Sequence, residues 1–154
     1  MSGIILNAVT AKLALTASTR KTMLQLTAPS NHRIKILGWS IFFDEEIGDA
    51  TPSNPLLVSI GIQTGGTGSA NTLVKRNAAS ETQLTTAKDN FTVAATTTIM
   101  ESKIINAQTG YEVMFPMGQE IVVTGALLFG IDVTPGATIS TGGLNAVCNI
   151  IFEE

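Results

Sequence analysis

Pro55-Leu-Leu-Val-Ser-Ile-Gly-Ile-Gln63 alternates without a break. Leu56, Val58, Ile60 and Ile62 fall on one side of an extended chain, and Leu57, Ser59, Gly61 and Gln63 fall on the other. Successive side chains of a strand point to opposite faces, so this stretch reads as a strand with one buried face. The period returns in Leu127, Phe129, Ile131 and Val133, set around Leu128, Gly130 and Asp132. It returns again in Ala146, Cys148, Ile150 and Phe152, and earlier in Leu24 and Leu26.

His32 to Phe43 is the longest run. Ile34 and Ile36 share one parity, while Trp39, Ile41 and Phe43 share the other. One extra residue flips every later side chain, so a β-bulge near Gly38 is predicted. Turn residues punctuate these runs: Ala28-Pro-Ser-Asn31, Gly48 to Pro55, Thr64-Gly-Gly-Thr-Gly68, Gln108-Thr-Gly110, Pro116-Met-Gly118, Thr134-Pro-Gly136 and Thr141-Gly-Gly143. Residues 77–88 have room for a short helical turn, but their Thr content argues against a long one. The predicted strands cover residues 21–28, 32–43, 55–63, 90–95, 97–106, 111–115 with 119–124, 126–133 and 145–153. Many short strands with Gly/Pro turns make an all-β, antiparallel β-sandwich. A jelly roll accommodates this number of strands best, with an immunoglobulin-like sandwich as the alternative.

The first twenty residues are apolar but irregular: Ile4, Ile5, Leu6, Val9, Leu13 and Leu15, spaced by Ala and Thr. An arm laid across another subunit has this composition, and so does a first strand tucked into the same sandwich. The division adopted is an N-terminal arm over 1–20 and a β-sandwich domain over 21–154. The six apolar residues are then candidate interface contacts with a capsid or neighbouring subunit. The stretch lacks the basic start of a secretion signal, and Asn7 and Lys12 interrupt it. No apolar run approaches the ~20 residues of a membrane helix.

The chain is poor in chemistry. Its 154 residues hold one His, one Cys, one Trp and one Tyr, and 14% of them are charged against 44% hydrophobic. His32 alone cannot build the multi-His site of a cupin-like metalloenzyme. No Gly-x-Ser-x-Gly elbow accompanies it, so a hydrolase is not expected. Asp44-Glu-Glu46 with Asp49 is the densest acidic cluster, but it lacks EF-hand spacing and reads as solvated loop charge. Thr64 to Ser69 lacks the Gly-Lys-Ser/Thr of a phosphate loop and reads as a flexible turn. The Asn90-Phe-Thr92 sequon has no secretory context to give it weight. Cys148, in an alternating apolar run, is expected to be a buried thiol. Neither a catalytic residue nor a cofactor or metal site is expected. A net charge of −3 with only isolated cationic pairs argues against direct nucleic-acid binding.

What remains is surface. A mean hydropathy of +0.31 with so few charges predicts that apolar surface is covered in an oligomer. A cyclic homo-oligomer is the default, and a homotrimer suits a wedge-shaped jelly roll.

Leu26-Thr-Ala-Pro-Ser-Asn-His-Arg-Ile-Lys-Ile-Leu-Gly-Trp39 and Asn149-Ile-Ile-Phe-Glu-Glu154 resemble the decoration, or cement, proteins of tailed-bacteriophage heads. The resemblance implies a tumour-necrosis-factor-like jelly roll that forms trimers on the capsid exterior, at threefold positions. It implies the major capsid protein as partner, a virion location after synthesis in the host cytoplasm, and stabilisation of the shell. The family has no shared site motif, so it assigns no individual residue. A trimeric tail or fibre receptor-binding module, or a non-viral ligand-binding sandwich, is the alternative.

Overall fold

The structure is a computed structural model that describes residues 3–45, 55–77, 80–137, 139 and 144–154. Among these the chain forms β1 (Ile5–Val9), β2 (Leu13–Ala14), β3 (Lys21–Thr27), β4 (Arg33–Glu45), β5 (Pro55–Thr64), β6 (Thr67–Asn71) and β7 (Val74–Lys75). The later strands are β8 (Thr86–Val93), β9 (Thr96–Asn106), β10 (Tyr111–Met114), β11 (Ile121–Thr124), β12 (Leu128–Pro135) and β13 (Leu144–Glu153). They make two antiparallel sheets packed face to face, the expected all-β sandwich. Sheet one runs β10-β4-β13-β1-β7, with β11 also on β4 and β2 also on β13; sheet two runs β6-β8-β3-β12-β5-β9.

The period-two residues meet between the sheets. Leu56, Val58, Ile60, Phe129, Ile131 and Val133 from sheet two face Ile34, Ile36, Trp39, Ile41, Cys148, Ile150 and Phe152 from sheet one, all buried. Each large apolar side chain so buried contributes roughly 1.5–3 kcal/mol. The predicted bulge is present. The β4–β13 register runs Ile151 to Gly38, then Phe152 to Ile36, so Leu37 is the extra residue. Glycine is required beside it because β10 lies close. A Cβ on Gly38 would sit 2.4 Å from Met114 Sδ and 2.5 Å from the Val113 carbonyl oxygen.

Three sequence readings need correction. The residues of the expected arm form β1 and β2, both paired with β13 inside sheet one. Ile4, Leu6, Leu13 and Leu15 are buried in the chain's own core, because alternation over Ile4, Leu6 and Ala8 gives that strand an inward face. Residues 80–85, where a helical turn had room, form no helix, and Thr86 already opens β8. Thr67–Asn71 is strand β6 rather than loop; its small polar side chains hide the alternation. Of the acidic cluster, Asp44 pairs with Lys12 toward the end of β4, and Glu46 and Asp49 lie outside the described residues.

The Gly-rich stretch is a corner. β5 pairs with β9 up to Thr64 opposite Thr96, and β6 pairs with β8 from Thr67 opposite Val93. The two pairings are one long ribbon, bent at Gly65-Gly66 against Ala94-Ala95. Gly65 and Gly66 have φ of 69° and 87°, which glycine adopts without strain. The bent ribbon is fastened to the outer side of sheet two. Asp132, buried at the centre of β12, accepts hydrogen bonds from Thr22 Oγ1 (2.6 Å), Gln63 Nε2 (3.0 Å) and Thr97 Oγ1. Gln25 Nε2 donates to Gln63 Oε1 and to the Gly65 carbonyl, and Ala95 N donates to Thr22 Oγ1.

Two outcomes follow. Removing residues 1–18 takes β1 from between β13 and β7 and strips β2 from β13, so the truncated chain is expected to lose cooperative thermal unfolding by circular dichroism; a sharp transition would show that β1 is dispensable. Asp132→Ala leaves three donors without their acceptor and is expected to cost about 3 kcal/mol in a denaturant titration.

Candidate contact surface

Pairing register shows which side chains lie side by side on the outer face of sheet one. Across the sheet, Val122, Lys35, Glu153 and Ile5 form one row. The next is Met114, Gly38, Ile151, Asn7 and Val74. Glu112, Ser40, Asn149 and Val9 follow, and then Phe42 with Val147. Asp44, Asn145 and Ala14 close the face. The rows between the first and the last hold a single charge, Glu112, at the sheet edge.

This band is apolar and amide in character. Val9, Phe42 and Val74 are 42%, 48% and 58% exposed, with Ile151 and Ser40 buried between them. Charge frames it at both ends. Lys35 Nζ lies 3.7 Å from Glu153 Oε2 at one end, and Lys12 pairs with Asp44 at the other. An apolar centre inside a polar rim is the anatomy of a protein contact surface. Asn7 Oδ1 and Asn149 Oδ1 within the band are shielded from solvent and accept no hydrogen bond.

A second apolar patch lies at the far edge of sheet two. Leu57 on β5 stands opposite Ile104 on β9, and Ile104 is 77% exposed. Ile99 and Met100 extend the patch along β9. The core-facing side of the same strand is guarded. Glu101 and Lys103 are ion-paired at 2.7 Å, and Lys103 Nζ sits 5.1 Å from the Tyr111 ring centroid, bridging the sheet edges. Hydrogen bonding to Glu101, and then to Tyr111, raises the Lys103 pKa. Inward-pointing charge on an edge strand discourages uncontrolled strand addition.

Of the six residues expected to make contacts, only Ile5 and Val9 face outward on β1, Val9 within the sheet-one band and Ile5 in the Lys35–Glu153 row that frames it. Ile4, Leu6, Leu13 and Leu15 are spent on the core. Phe42, Val74, Val147, Leu57 and Ile104 were not singled out from sequence. Their alternation was readable, but which strands stand beside them was not. His32 is exposed, with Nδ1 2.9 Å from Asn31 Oδ1. Among the described residues no group of three His, Cys, Asp or Glu side chains is placed to hold a metal ion. No family model, curated protein or solved structure matches the chain.

Cys148 is wholly buried, and burial pushes its thiol pKa far up. The folded state therefore keeps the thiol protonated. Its contribution to stability is complete below the ordinary thiol pKa of 9.0 and declines as pH rises beyond it. Native protein at pH 8 is expected not to react with a thiol-specific chromogenic reagent, while denatured protein releases one equivalent; rapid native labelling would contradict the buried placement.

Proposed function

We propose that this chain is a structural contact protein of a virion, a decoration protein that binds the outer surface of a capsid as a homotrimer and stabilises the shell. The observation that carries the reading is the band on sheet one whose single charge is Glu112 at the edge, framed by the Lys35–Glu153 and Lys12–Asp44 pairs. Such a face is costly to leave in water and suits a protein partner. The β9 patch is a different surface from the band. One copy's patch set on the next copy's band is a heterologous contact, which closes into a ring when the rotation permits.

The strand pairing supports a jelly roll. β1 pairs with β13, β3 with β12, β4 with β10 and β11, and β5 with β9. First with last, and inward in sequence, is the order produced by rolling up one long antiparallel hairpin. The β6–β8 segment is an addition along one margin of that roll. The resemblance of residues 26–39 and 149–154 to phage cement proteins supplies the capsid as partner.

The mechanism is thermodynamic. A ligand that binds only the assembled shell stabilises it by mass action, and three copies acting together add avidity. Light scattering after size exclusion is expected to give about 48 kDa, three times the chain's 16.1 kDa. Val9→Lys and Val74→Lys, each on the exposed band, are expected to give folded monomers. The wild type is expected to co-sediment with assembled shells and not with free major capsid subunits. A trimer that ignores shells would remove the decoration reading, and a wild-type monomer would remove the ring.

A further inference from the structure

A cleft of about 180 Å³ lies beside the ribbon corner, lined by Thr16, Thr19, Arg20, Lys21, Phe91, Thr92 and Ala94. Its two walls come from distant parts of the chain. One is the turn that joins β2 to β3, where Thr19 N donates to the Thr16 carbonyl. The other is the end of β8. Each wall contains a non-glycine residue in left-handed conformation: Ser18 with φ 54° and Asn90 with φ 46°. The conformation costs more for Ser than for Asn, and it persists only where the surroundings over-determine it. Here Ser18 N is held by the Gly136 carbonyl at 3.4 Å.

The cations in this cleft are fixed without being neutralised. Arg20 Nη2 donates to the Ala95 carbonyl at 2.5 Å, and Lys21 Nζ donates to the Ala14 carbonyl at 2.9 Å. Both acceptors are backbone oxygens with no net charge. Among the described residues neither cation has a carboxylate within ion-pair distance, unlike Lys12, Lys35 and Lys103. The guanidinium uses one donor on Ala95 and keeps its others for a planar or tetrahedral anion. The Thr19 and Thr92 hydroxyls donate to the Ala17 and Thr67 carbonyls, so the donors offered to an anion are the two cations and the exposed Thr16 hydroxyl, and Phe91, nearly fully buried, forms an apolar floor.

We propose that this cleft is a binding site for an oxyanion, the carboxylate or sulfate group of a small acidic ligand, gripped by Arg20 and Lys21. The anchored guanidinium loses little rotamer freedom on binding, which is the advantage of a preorganised charge-assisted site. The site lies at the ribbon corner of sheet two and does not depend on the sheet-one contact proposed above.

The test is a titration of the full chain followed by amide ¹H–¹⁵N spectra. Sodium sulfate and sodium glucuronate are each compared with sodium chloride at matched ionic strength. Saturable shifts confined to residues 16–21 and 91–94 are expected with at least one of the two oxyanions, and none with chloride. Saturation by both identifies the oxyanion alone as the ligand feature, whereas glucuronate alone points to a sugar-borne carboxylate and sulfate alone to a tetrahedral anion. Lys21→Gln and Arg20→Gln are each expected to weaken the effect at least tenfold, and Arg33→Gln, remote from the cleft, to leave it unchanged. Lys21→Gln keeps the test valid if loss of the Arg20 anchor loosens the corner. Shifts that merely follow ionic strength, or saturable shifts indifferent to both substitutions, would overturn the site.

Discussion

The carboxylate of Asp132 is the point on which sheet two closes. It sits buried in the middle of β12, without an ion-pair partner among the described residues, and is satisfied by Thr22, Gln63 and Thr97. A buried charge is tolerable only when its acceptor capacity is filled. Filling it requires β3, β5, β12 and the start of β9 to be in place together, because each supplies a member of the network. The glycine corner at 65–66 allows the long ribbon to bend over this site, and Gln25 and Ala95 seal it. Gly130 belongs to the same arrangement: a Cβ there would lie 2.2 Å from Gln63 Oε1. The outer side of sheet two is thereby filled from within the chain around Asp132, while Leu57 and Ile104 remain exposed toward its β9 edge.

Sheet one has no such network over its outer face among the described residues. Its centre is β13, paired with β4 on one side and with β1 and β2 on the other. The chain ends are tied together there: Ile4 and Glu154 exchange backbone hydrogen bonds at 3.0 Å, and Glu154 Oε1 and Oε2 accept from Leu84 N and Thr85 N. Among the described residues nothing covers Val9, Phe42 and Val74, which stay 42%, 48% and 58% exposed. The exposed apolar residues of both sheets, Val9, Phe42 and Val74 on one and Leu57 and Ile104 on the other, are the physical basis for the proposed contact role.

Much of the fold was legible because water selects for alternation. β5, β12 and β13 bury one face each, so their sequences carry period two plainly. The bulge in β4 was legible for the same reason, as a parity change across Leu37 and Gly38. β6 was not legible: Thr67-Gly-Ser-Ala-Asn71 is an edge strand with little side chain to bury, and its pairing with β8 is backbone hydrogen bonding that leaves no mark on composition. The N-terminal residues were legible as apolar but not as placed. Apolar character alone is common to an arm and a strand, and partner identity separates them.

The sequence by itself determined that this is an all-β chain, rich in apolar residues and poor in His, Cys and charge. Those properties are sums over residues and survive any rearrangement of strands. Only the tertiary structure decided which apolar residues are core and which are surface. Leu6 and Val9 differ little as side chains, yet one is fully buried and the other 42% exposed, because β1 docks on β13 in one register. It alone placed Arg20 and Lys21 across a cleft from Phe91 and Thr92, some seventy positions away in the chain. Such juxtapositions depend on long-range pairing, and local sequence does not encode a neighbour that arrives from a distant strand.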